Sequence, residues 1–390
     1  MEVFQSRMDD LEEGPGDLVT PPGTEDTNSC TSTEAISLTS ETAFLLQTYT
    51  RTVATWMDLF DFGSTYQLRV PQFVLSSPLL FHCVCAFTSN YLALSVQTKN
   101  ASWKFVAVKH YGEALRLLIE ALSLPSHEHA LTASMLLLSY EIQEAQNSED
   151  YRRHFLGLSA LIRSRGITPL CADPTDRANF WIYVRHEIAL AMSSGKPLVL
   201  DPSKWTVSWI EGETREDVLG NHVIWILARV LNTVYGHEGN GAASKETRLA
   251  YLNELEVWRA GLSDTFVGIP YGETDDDGFR RVFFPVTAAA ASAFWYHVTH
   301  ILLYAEPVLQ DDAYAPLVKD QATKITNIAI SEFPAALKVF STYGLFFGEL
   351  DTQAHQAASS AHMTDVRSCE AHSGNFSQGA HLECAQERRG

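Results

Sequence analysis

Cysteine, basic residues and long apolar runs are all scarce in this sequence of 390 residues. The 6 cysteines are widely scattered, so they favour a reducing compartment over a disulfide framework. Lys and Arg total 28 against 47 Asp and Glu, and this net charge of −19 argues against a protein that mainly grips nucleic-acid backbone. No stretch reaches the roughly 20 apolar residues of a membrane-spanning helix, and the acidic start is unlike a signal peptide. We therefore expect no membrane partner and no secretion.

The first 40 residues differ sharply in composition from the rest of the chain, although hydrophobic residues make up 46% of the whole. They contain nine acidic residues against a single basic one, Arg7, together with several Pro and Gly. This composition predicts a disordered acidic arm over residues 1–38. A few apolar residues stand among the acids, which leaves an activation segment open beside a solvated tail without a partner.

The other end of the chain is poor in apolar residues. Residues 351–390 contain only Val366 and Leu382 from the Leu, Ile and Val set, and no Trp or Tyr. Such a segment cannot bury enough apolar surface to offset the entropy of ordering it. We therefore predict a disordered polar tail over residues 348–390.

One spacing in this tail suggests a metal site. Cys369-x-x-His372 and His381-x-x-Cys384 form two short pairs of sulfur and imidazole ligands that suit tetrahedral zinc. The surrounding residues lack the apolar side chains of a folded zinc finger, so coincidence in a His-rich tail is the alternative. We assign no metal or cofactor to the chain.

Between the tails, the pattern of apolar residues predicts helices almost everywhere. Apolar residues recur at three- and four-residue spacing, whereas neither a hairpin signal nor a βαβ alternation is found. Ser77-Pro78 and Asp173-Pro174 are typical helix starts, Thr214 with Asp217 suggests a capping box, and Gly195 is a typical stop. We predict an all-α domain of about ten helices over residues 39–347. Its segments lie at about 44–56, 78–92, 103–122, 126–145, 151–165, 178–192, 214–234, 245–261, 286–305, 313–331 and 334–347.

Catalytic motifs are not recognisable in this pattern. Gly195-Lys196 lacks the first glycine and the hydroxyl residue of a phosphate-binding loop, and Ser159 lies within a predicted helix rather than a strained turn. Asp275-Asp276-Asp277 stands between glycines, which favours an exposed loop over a magnesium site. We therefore predict no catalytic residue and no enzyme.

Two further clusters have ordinary structural interpretations. Cys83 and Cys85 lie in an apolar helix, which indicates buried small hydrophobic residues rather than metal ligands. The clearest basic cluster consists of Arg152, Arg153, Arg163 and Arg165. In so acidic a chain, we expect these arginines to pair with carboxylates rather than to bind phosphate.

Several motifs resemble one known family. They are Trp56-Met57-Asp58-Leu59-Phe60-Asp61, Leu136-Leu137-Leu138-Ser139-Tyr140-Glu141, Tyr151-Arg152-Arg153-His154-Phe155-Leu156-Gly157, Leu161-Ile162-Arg163-Ser164-Arg165-Gly166 and Phe180-Trp181-Ile182-Tyr183-Val184-Arg185-His186-Glu187. This series resembles the fungal-specific transcription factor domain over residues 39–347. The resemblance implies an all-α regulatory domain, a nuclear location and regulation of transcription, with secondary metabolism among its expected targets.

The sequence departs from the family pattern in two places. The family usually carries a six-cysteine zinc cluster that reads DNA, whereas Cys30 stands alone in the acidic arm. We therefore expect a regulator without its own DNA-binding module and without direct specific DNA binding. The family domain also commonly continues beyond Gly348, so Leu345, Phe346 and Phe347 are expected at an edge. A second copy or a DNA-binding zinc-cluster regulator would cover this edge, unless the chain's own core does.

Three functional hypotheses follow. The first is a transcription regulator or co-regulator that acts through protein partners. The second is a helical sensor of a small-molecule effector, whose pocket is shaped by Trp181, Phe294, Trp295 and Tyr296. Core packing is the alternative fate of these aromatic residues. The third is an enzyme on a repurposed helical scaffold, for which the sequence offers no catalytic constellation.

Overall fold

The computed structural model describes residues 36–95, 101–123, 129–144, 149–207, 209–210, 212–236, 245–304, 314–331, 336–337 and 341, with the backbone alone at residues 101 and 149–153. Nearly all of the acidic arm and all of the polar tail lie outside the described residues. The same holds for the Cys369, His372, His381 and Cys384 spacing and for the apolar Leu345, Phe346 and Phe347.

Helices dominate the described residues, and this confirms the all-α class. They are α1 (Ser40–Arg51), α2 (Val53–Met57), α3 (Thr65–Leu68), α4 (Val70–Val74), α5 (Pro78–Leu94), α6 (Ala101–Leu122), α7 (Ala130–Glu144), α8 (Glu149–Ser164), α9 (Pro174–Ser194), α10 (Glu216–Tyr235), α11 (Lys245–Ala260), α12 (Thr287–Tyr304) and α13 (Ala315–Ala329). Two 3₁₀ turns span Pro202–Lys204 and Asp264–Phe266, and one antiparallel hairpin joins β1 (Ile269–Tyr271) to β2 (Arg281–Phe283).

Helix boundaries confirm most of the predicted start and stop signals. The Ser77 hydroxyl accepts from the backbone N–H of Leu80 at the start of α5. The Asp173 carboxylate accepts from two backbone N–H groups at the start of α9, and Gly195 ends that helix with a φ of 61°. A left-handed φ favours glycine because it has no Cβ to clash with the following carbonyl. The local sequence therefore fixes both ends of α9.

The predicted capping box at Thr214 is wrong. Helix α10 begins at Glu216, and its N-cap residue, Arg215, makes no side-chain capping bond. The Asp217 carboxylate instead accepts two hydrogen bonds from the Arg215 guanidinium, at 3.1 and 2.6 Å. The Glu213 carboxylate takes the backbone N–H groups of Thr214 and Arg215, at 2.9 and 2.8 Å. The Asp217 carboxylate is therefore paired with the Arg215 guanidinium, whereas a capping box needs it as the acceptor for the backbone N–H of Thr214.

Two other features differ from the sequence-based expectation. The predicted segment at 44–56 is divided at Thr52, whose φ of −126° and ψ of −82° end α1 before α2 begins. A hairpin also forms where none was predicted. Its connecting loop, residues 272–280, is too long to carry a two-residue turn signal. Asp275, Asp276 and Asp277 lie in this loop and are exposed, as predicted.

The core runs through the centre of the helical array. Helices α9 and α12 are buried on almost every face, which is typical of helices surrounded by others. Cys83 and Cys85 are fully buried, as predicted, and burial raises the pKa of the Cys85 thiol to about 12. Among the described helices, none combines the length and the apolar character that a bilayer crossing requires.

Candidate functional site

A stripe of three residues on α9 lines a cavity of about 300 Å³. Arg177, Trp181 and Arg185 are spaced four residues apart, which places them on one face of the helix. The cavity separates this face from α10, and its floor includes Met57 and Phe60. Arg215, at the start of α10, also lines it. We call this space the arginine cavity.

The three arginines of this cavity differ in exposure. Arg185 is only 3% exposed, Arg177 is half-buried and Arg215 is exposed. Burial lowers the pKa of Arg185 to about 10, so its guanidinium remains charged at neutral pH. The guanidinium donates to the carbonyl of Met57 at 2.6 Å and lies 5.9 Å from the centre of the Phe60 ring. Guanidinium groups therefore line the cavity from solvent to its floor, together with the carboxylates of Asp61 and Asp217.

Two carboxylates near Arg185 hold a neighbouring helix. Asp58 accepts from the backbone N–H groups of Tyr66 and Gln67 at 2.9 and 2.8 Å, and Asp61 accepts from that of Thr65 at 2.9 Å. These are the first N–H groups of α3, which lack partners inside the helix. Burial raises the pKa of Asp58 to about 7, although both hydrogen bonds and Arg185 act in the opposite direction. Both carboxylates are thus committed to backbone donors.

Arg177 and Arg215 each use part of their hydrogen-bonding capacity within the protein. Arg177 donates to the carbonyl of Cys171 at 2.8 Å and so holds the turn after α8 against α9. Arg215 pairs with Asp217 and lies 5.3 Å from the centre of the Phe62 ring. A guanidinium has five N–H donors in a planar fork, which suits carboxylate and phosphate oxygens. The arrangement can therefore receive a small anion.

Close packing fixes the floor of the arginine cavity. A Cβ atom on Gly220 of α10 would overlap the Phe60 ring, so a glycine is required for this approach. Next to it, the Asn221 amide donates to the carbonyl of Phe60 at 3.0 Å. The Asn221 side-chain oxygen is buried and has no hydrogen-bond partner among the residues that the structure describes. Phe60 is thereby held between α9 and α10 and supports Arg185 from below.

A second cavity, of about 350 Å³, lies between α11, α12, α13 and the hairpin. We call it the hairpin cavity; Tyr296 and His297 of α12 line it. The four aromatic residues predicted to shape one pocket are not brought together. Trp181 lines the arginine cavity and Tyr296 the hairpin cavity, whereas Phe294 and Trp295 are buried in the core and line neither.

The predicted basic cluster is partly within the described side chains. Arg165 lies 3.8 Å from the Asp176 carboxylate, which agrees with the expected pairing to an acid. Arg163 donates to the Ser159 hydroxyl at 3.4 Å. The side chains of Arg152 and Arg153 lie outside the described residues. In the described part of the chain, no three His, Cys, Asp or Glu side chains are grouped as metal ligands.

Sequence reasoning did not identify Arg177, Arg185 and Arg215 as a group. The spacing Arg-x-x-x-Trp-x-x-x-Arg on a predicted helix would have indicated the first two. Arg215 lies on a separate element, about 30 residues further on, and only the packing of α10 against α9 brings it near.

Most residues that line the arginine cavity lie in a segment that is similar to a known protein family. No curated protein and no solved structure matches the chain. Residues 44–217 match the sequence profile of the fungal specific transcription factor domain. The matched segment runs from α1 into the start of α10 and contains the three arginines, whereas the hairpin cavity lies beyond it. Residues 44–217 are therefore similar to a fungal specific transcription factor domain, and this similarity supports a role in transcription regulation.

Proposed function

We propose that this protein is a transcription regulator whose helical domain binds a small anionic effector in the arginine cavity and reaches DNA through a protein partner. The observation that carries the proposal is the convergence of Arg177, Arg185 and Arg215 on one cavity of the matched domain. The family supports regulation rather than catalysis and a nuclear site of action. Secondary metabolism stays a prediction for the regulated genes.

The size and lining of the arginine cavity favour a small ligand. A volume of about 300 Å³ lies at the lower end of the range for small-molecule sites. Trp181 and Phe60 offer flat apolar surfaces, while the arginines offer donors that fix an anion in orientation. An effector carrying a carboxylate or phosphate on a compact, partly apolar body fits this lining.

Binding in this cavity has a direct route to regulation. Its walls come from α9, α10 and the segment after α2, which are separate in sequence. An anion that contacts Arg177 and Arg215 together would favour the arrangement of α9 and α10 in which both arginines line one cavity. A ligand shifts a conformational equilibrium by its difference in affinity for the two states. We infer that the effector changes the surface offered to the partner.

Protein partners follow from the charge of the chain. A net charge of −19 opposes approach to a phosphate backbone, and Arg165, from the predicted basic cluster, lies beside a carboxylate. We therefore propose that a DNA-binding zinc-cluster regulator, or a second copy joined to one, supplies the contact with DNA.

The effector is tested by thermal unfolding of the full chain with phosphate, citrate, indole-3-acetate and the neutral indole-3-acetamide. We expect at least one anion to stabilise the chain, since a ligand at 100 times its Kd adds about 2.7 kcal/mol. Arg177→Gln should remove this effect, whereas Arg51→Gln, on the exposed face of α1, should retain it. Equal stabilisation of both variants, or by the neutral amide, would contradict the proposal.

The partner is tested separately by DNA binding. The isolated chain should show no sequence-selective duplex binding at physiological salt, because its net charge of −19 opposes approach to a phosphate backbone. Affinity purification from nuclei should recover a DNA-binding protein. Nanomolar, operator-selective binding by the isolated chain would refute the dependence on a partner.

A further inference from the structure

The hairpin cavity combines an apolar wall with charge of one sign. Trp258 of α11 and Phe266 of the 3₁₀ turn are buried beside it, and Val282 and Phe284 of the hairpin close it from outside. Arg259 and Lys324 also line it, and no Asp or Glu is found among the described residues that do so. In a chain with a net charge of −19, a cavity lined by cations alone is unexpected. Its charge is opposite to that of the protein as a whole.

Among the described residues, neither cation forms an ion pair with a buried acidic side chain. Lys324 pairs with Asp320 at 2.6 Å, but both side chains are about half exposed and the pair contributes little. Arg259 is exposed and lies 5.3 Å from the centre of the Tyr296 ring. Both side chains therefore have N–H donors that can turn toward a ligand at the mouth of the cavity.

His297 lines the same cavity, and its pKa reflects the burial and the charges around it. Its Nδ1 lies 2.7 Å from the side-chain oxygen of Gln321. Burial lowers the pKa of His297 to about 3 against the opposing effect of the hydrogen bond to Gln321, and Lys324, His300 and Arg259 act in the same direction as burial. The imidazole is thus neutral and adds no competing charge, while two cations act on the cavity.

We propose that the hairpin cavity binds an apolar monocarboxylic acid, whose body fills the space under the hairpin and whose carboxylate pairs with Arg259 and Lys324. A volume of about 350 Å³ lies at the lower end of the range for small-molecule sites, so we expect an acid with a single hydrocarbon chain. Decanoate is a suitable probe. The site lies beyond residue 217 and does not depend on the effector proposed for the arginine cavity.

The hairpin covers one side of the space proposed for the ligand. Pro270 and Val282 are directly paired across the two strands and both line the cavity, whereas the neighbouring pair Ile269 and Phe283 is exposed on the outer face. The hairpin thus covers the cavity with one face only. The backbone N–H of Arg280 donates to the Asn327 side chain at 2.9 Å and that of Val282 donates to the Ser331 hydroxyl at 2.7 Å, so two hydrogen bonds hold the hairpin over the cavity.

The proposal is tested by calorimetric titration of the full chain with three probes that share one hydrocarbon chain. Decanoate, 1-decanol and decyltrimethylammonium are used below the concentrations at which they form micelles. We expect decanoate to bind at least about tenfold more tightly than decanol, and the cation to bind least. Failure of decanoate to bind overturns the site, and equal binding of decanol overturns the assignment to an acid.

Variants locate the binding. Arg259→Gln combined with Lys324→Gln should weaken decanoate by at least about tenfold and remove its advantage over decanol. The matched pair Arg51→Gln and Lys319→Gln removes two exposed charges elsewhere and should leave binding unchanged. Unchanged binding by the first pair overturns the proposal.

Two further variants separate this site from the arginine cavity. Ala293→Phe, which fills the hairpin cavity from α12, should abolish decanoate binding, and retained binding by the folded variant overturns the location. If this variant does not fold, the charge pair still decides. Arg177→Gln should leave decanoate binding intact, whereas loss of binding there would assign decanoate to the arginine cavity and overturn the proposal.

Discussion

The arginine cavity and the hairpin cavity are similar in volume but differ in how they hold positive charge. In the arginine cavity, Arg185 is 3% exposed and lies near carboxylates that bind backbone N–H groups. In the hairpin cavity, Arg259 and Lys324 lie toward solvent around an apolar interior. A buried cation such as Arg185 stabilises the fold whether or not a ligand is bound. An exposed cation at the mouth of a cavity contributes less to the fold and can direct its N–H donors to a ligand. The two cavities also differ in their position relative to the matched segment, which ends at residue 217. Most residues that line the arginine cavity lie within this segment, whereas those that line the hairpin cavity lie beyond it.

The largest expected contrast between the cavities is in stability. Arg185→Ala leaves the carbonyl of Met57 without its charged donor and removes a favourable charge from beside Asp58. Breaking a buried charged network costs about 3–5 kcal/mol. Arg259→Ala should cost less than about 1 kcal/mol, because the side chain is exposed. Urea unfolding measures the loss of unfolding free energy in each of the two variants. Similar losses for the two variants would remove the distinction between structural and ligand-directed cations.

The next contrast concerns glycines that contact the two cavities. Gly220→Ala drives a Cβ into the buried Phe60 ring, and overpacking of this kind costs about 1–3 kcal/mol. Gly268→Ala drives a Cβ toward Val282 and Phe284, but these side chains are only half-buried and have more room to shift than Phe60. We expect less than about 1 kcal/mol for the second variant. Thermal unfolding of both variants decides the order, and a larger loss for Gly268→Ala would show that the hairpin is rigid.

How far the sequence predicts this architecture differs between the two regions. Helices α5 and α9 could be located to within a few residues because Ser77, Asp173 and Gly195 act locally. The hairpin could not be predicted, since its short strands pair across a long loop and no local signal specifies that pairing. The cavities required tertiary information. Arg177 and Arg185 share a helical face that the sequence reveals, whereas Arg215 and the cations of the hairpin cavity come from elements far apart in the chain.

The pH dependence of stability should have opposite signs in the two regions. The folded-state pKa of His297 is lowered to about 3, so its contribution is complete above about pH 6.5 and is lost as the pH falls toward 3. The folded-state pKa of Asp58 is raised from 3.8 to about 7, so the folded state gains stability from it as the pH falls through this range. Each of these two groups should change the free energy of unfolding by up to about 2 kcal/mol between pH 7 and pH 5.

Variants separate these opposing effects. His297→Asn should make the chain less sensitive to acid between pH 7 and pH 5, while Asp58→Asn should make it more sensitive. The measurement is Tm against pH for each variant relative to the unchanged chain, so that all other titrating groups cancel. Parallel curves for His297→Asn and the unchanged chain would show that this imidazole titrates normally beside the hairpin cavity.

The smallest expected effect concerns Lys324 and Asp217, one charged residue from each cavity. Lys324→Gln breaks an exposed pair with Asp320 four residues away on α13 and should cost less than about 0.5 kcal/mol. Asp217→Asn breaks the two-bond pair with Arg215, and its side chain is only 14% exposed, so we expect about 1 kcal/mol. Urea unfolding at low and high salt measures both losses. A near-zero loss for Lys324→Gln means that any change in decanoate binding reflects the ligand contact rather than the fold. A loss above that of Asp217→Asn would instead make Lys324 a structural cation, like Arg185.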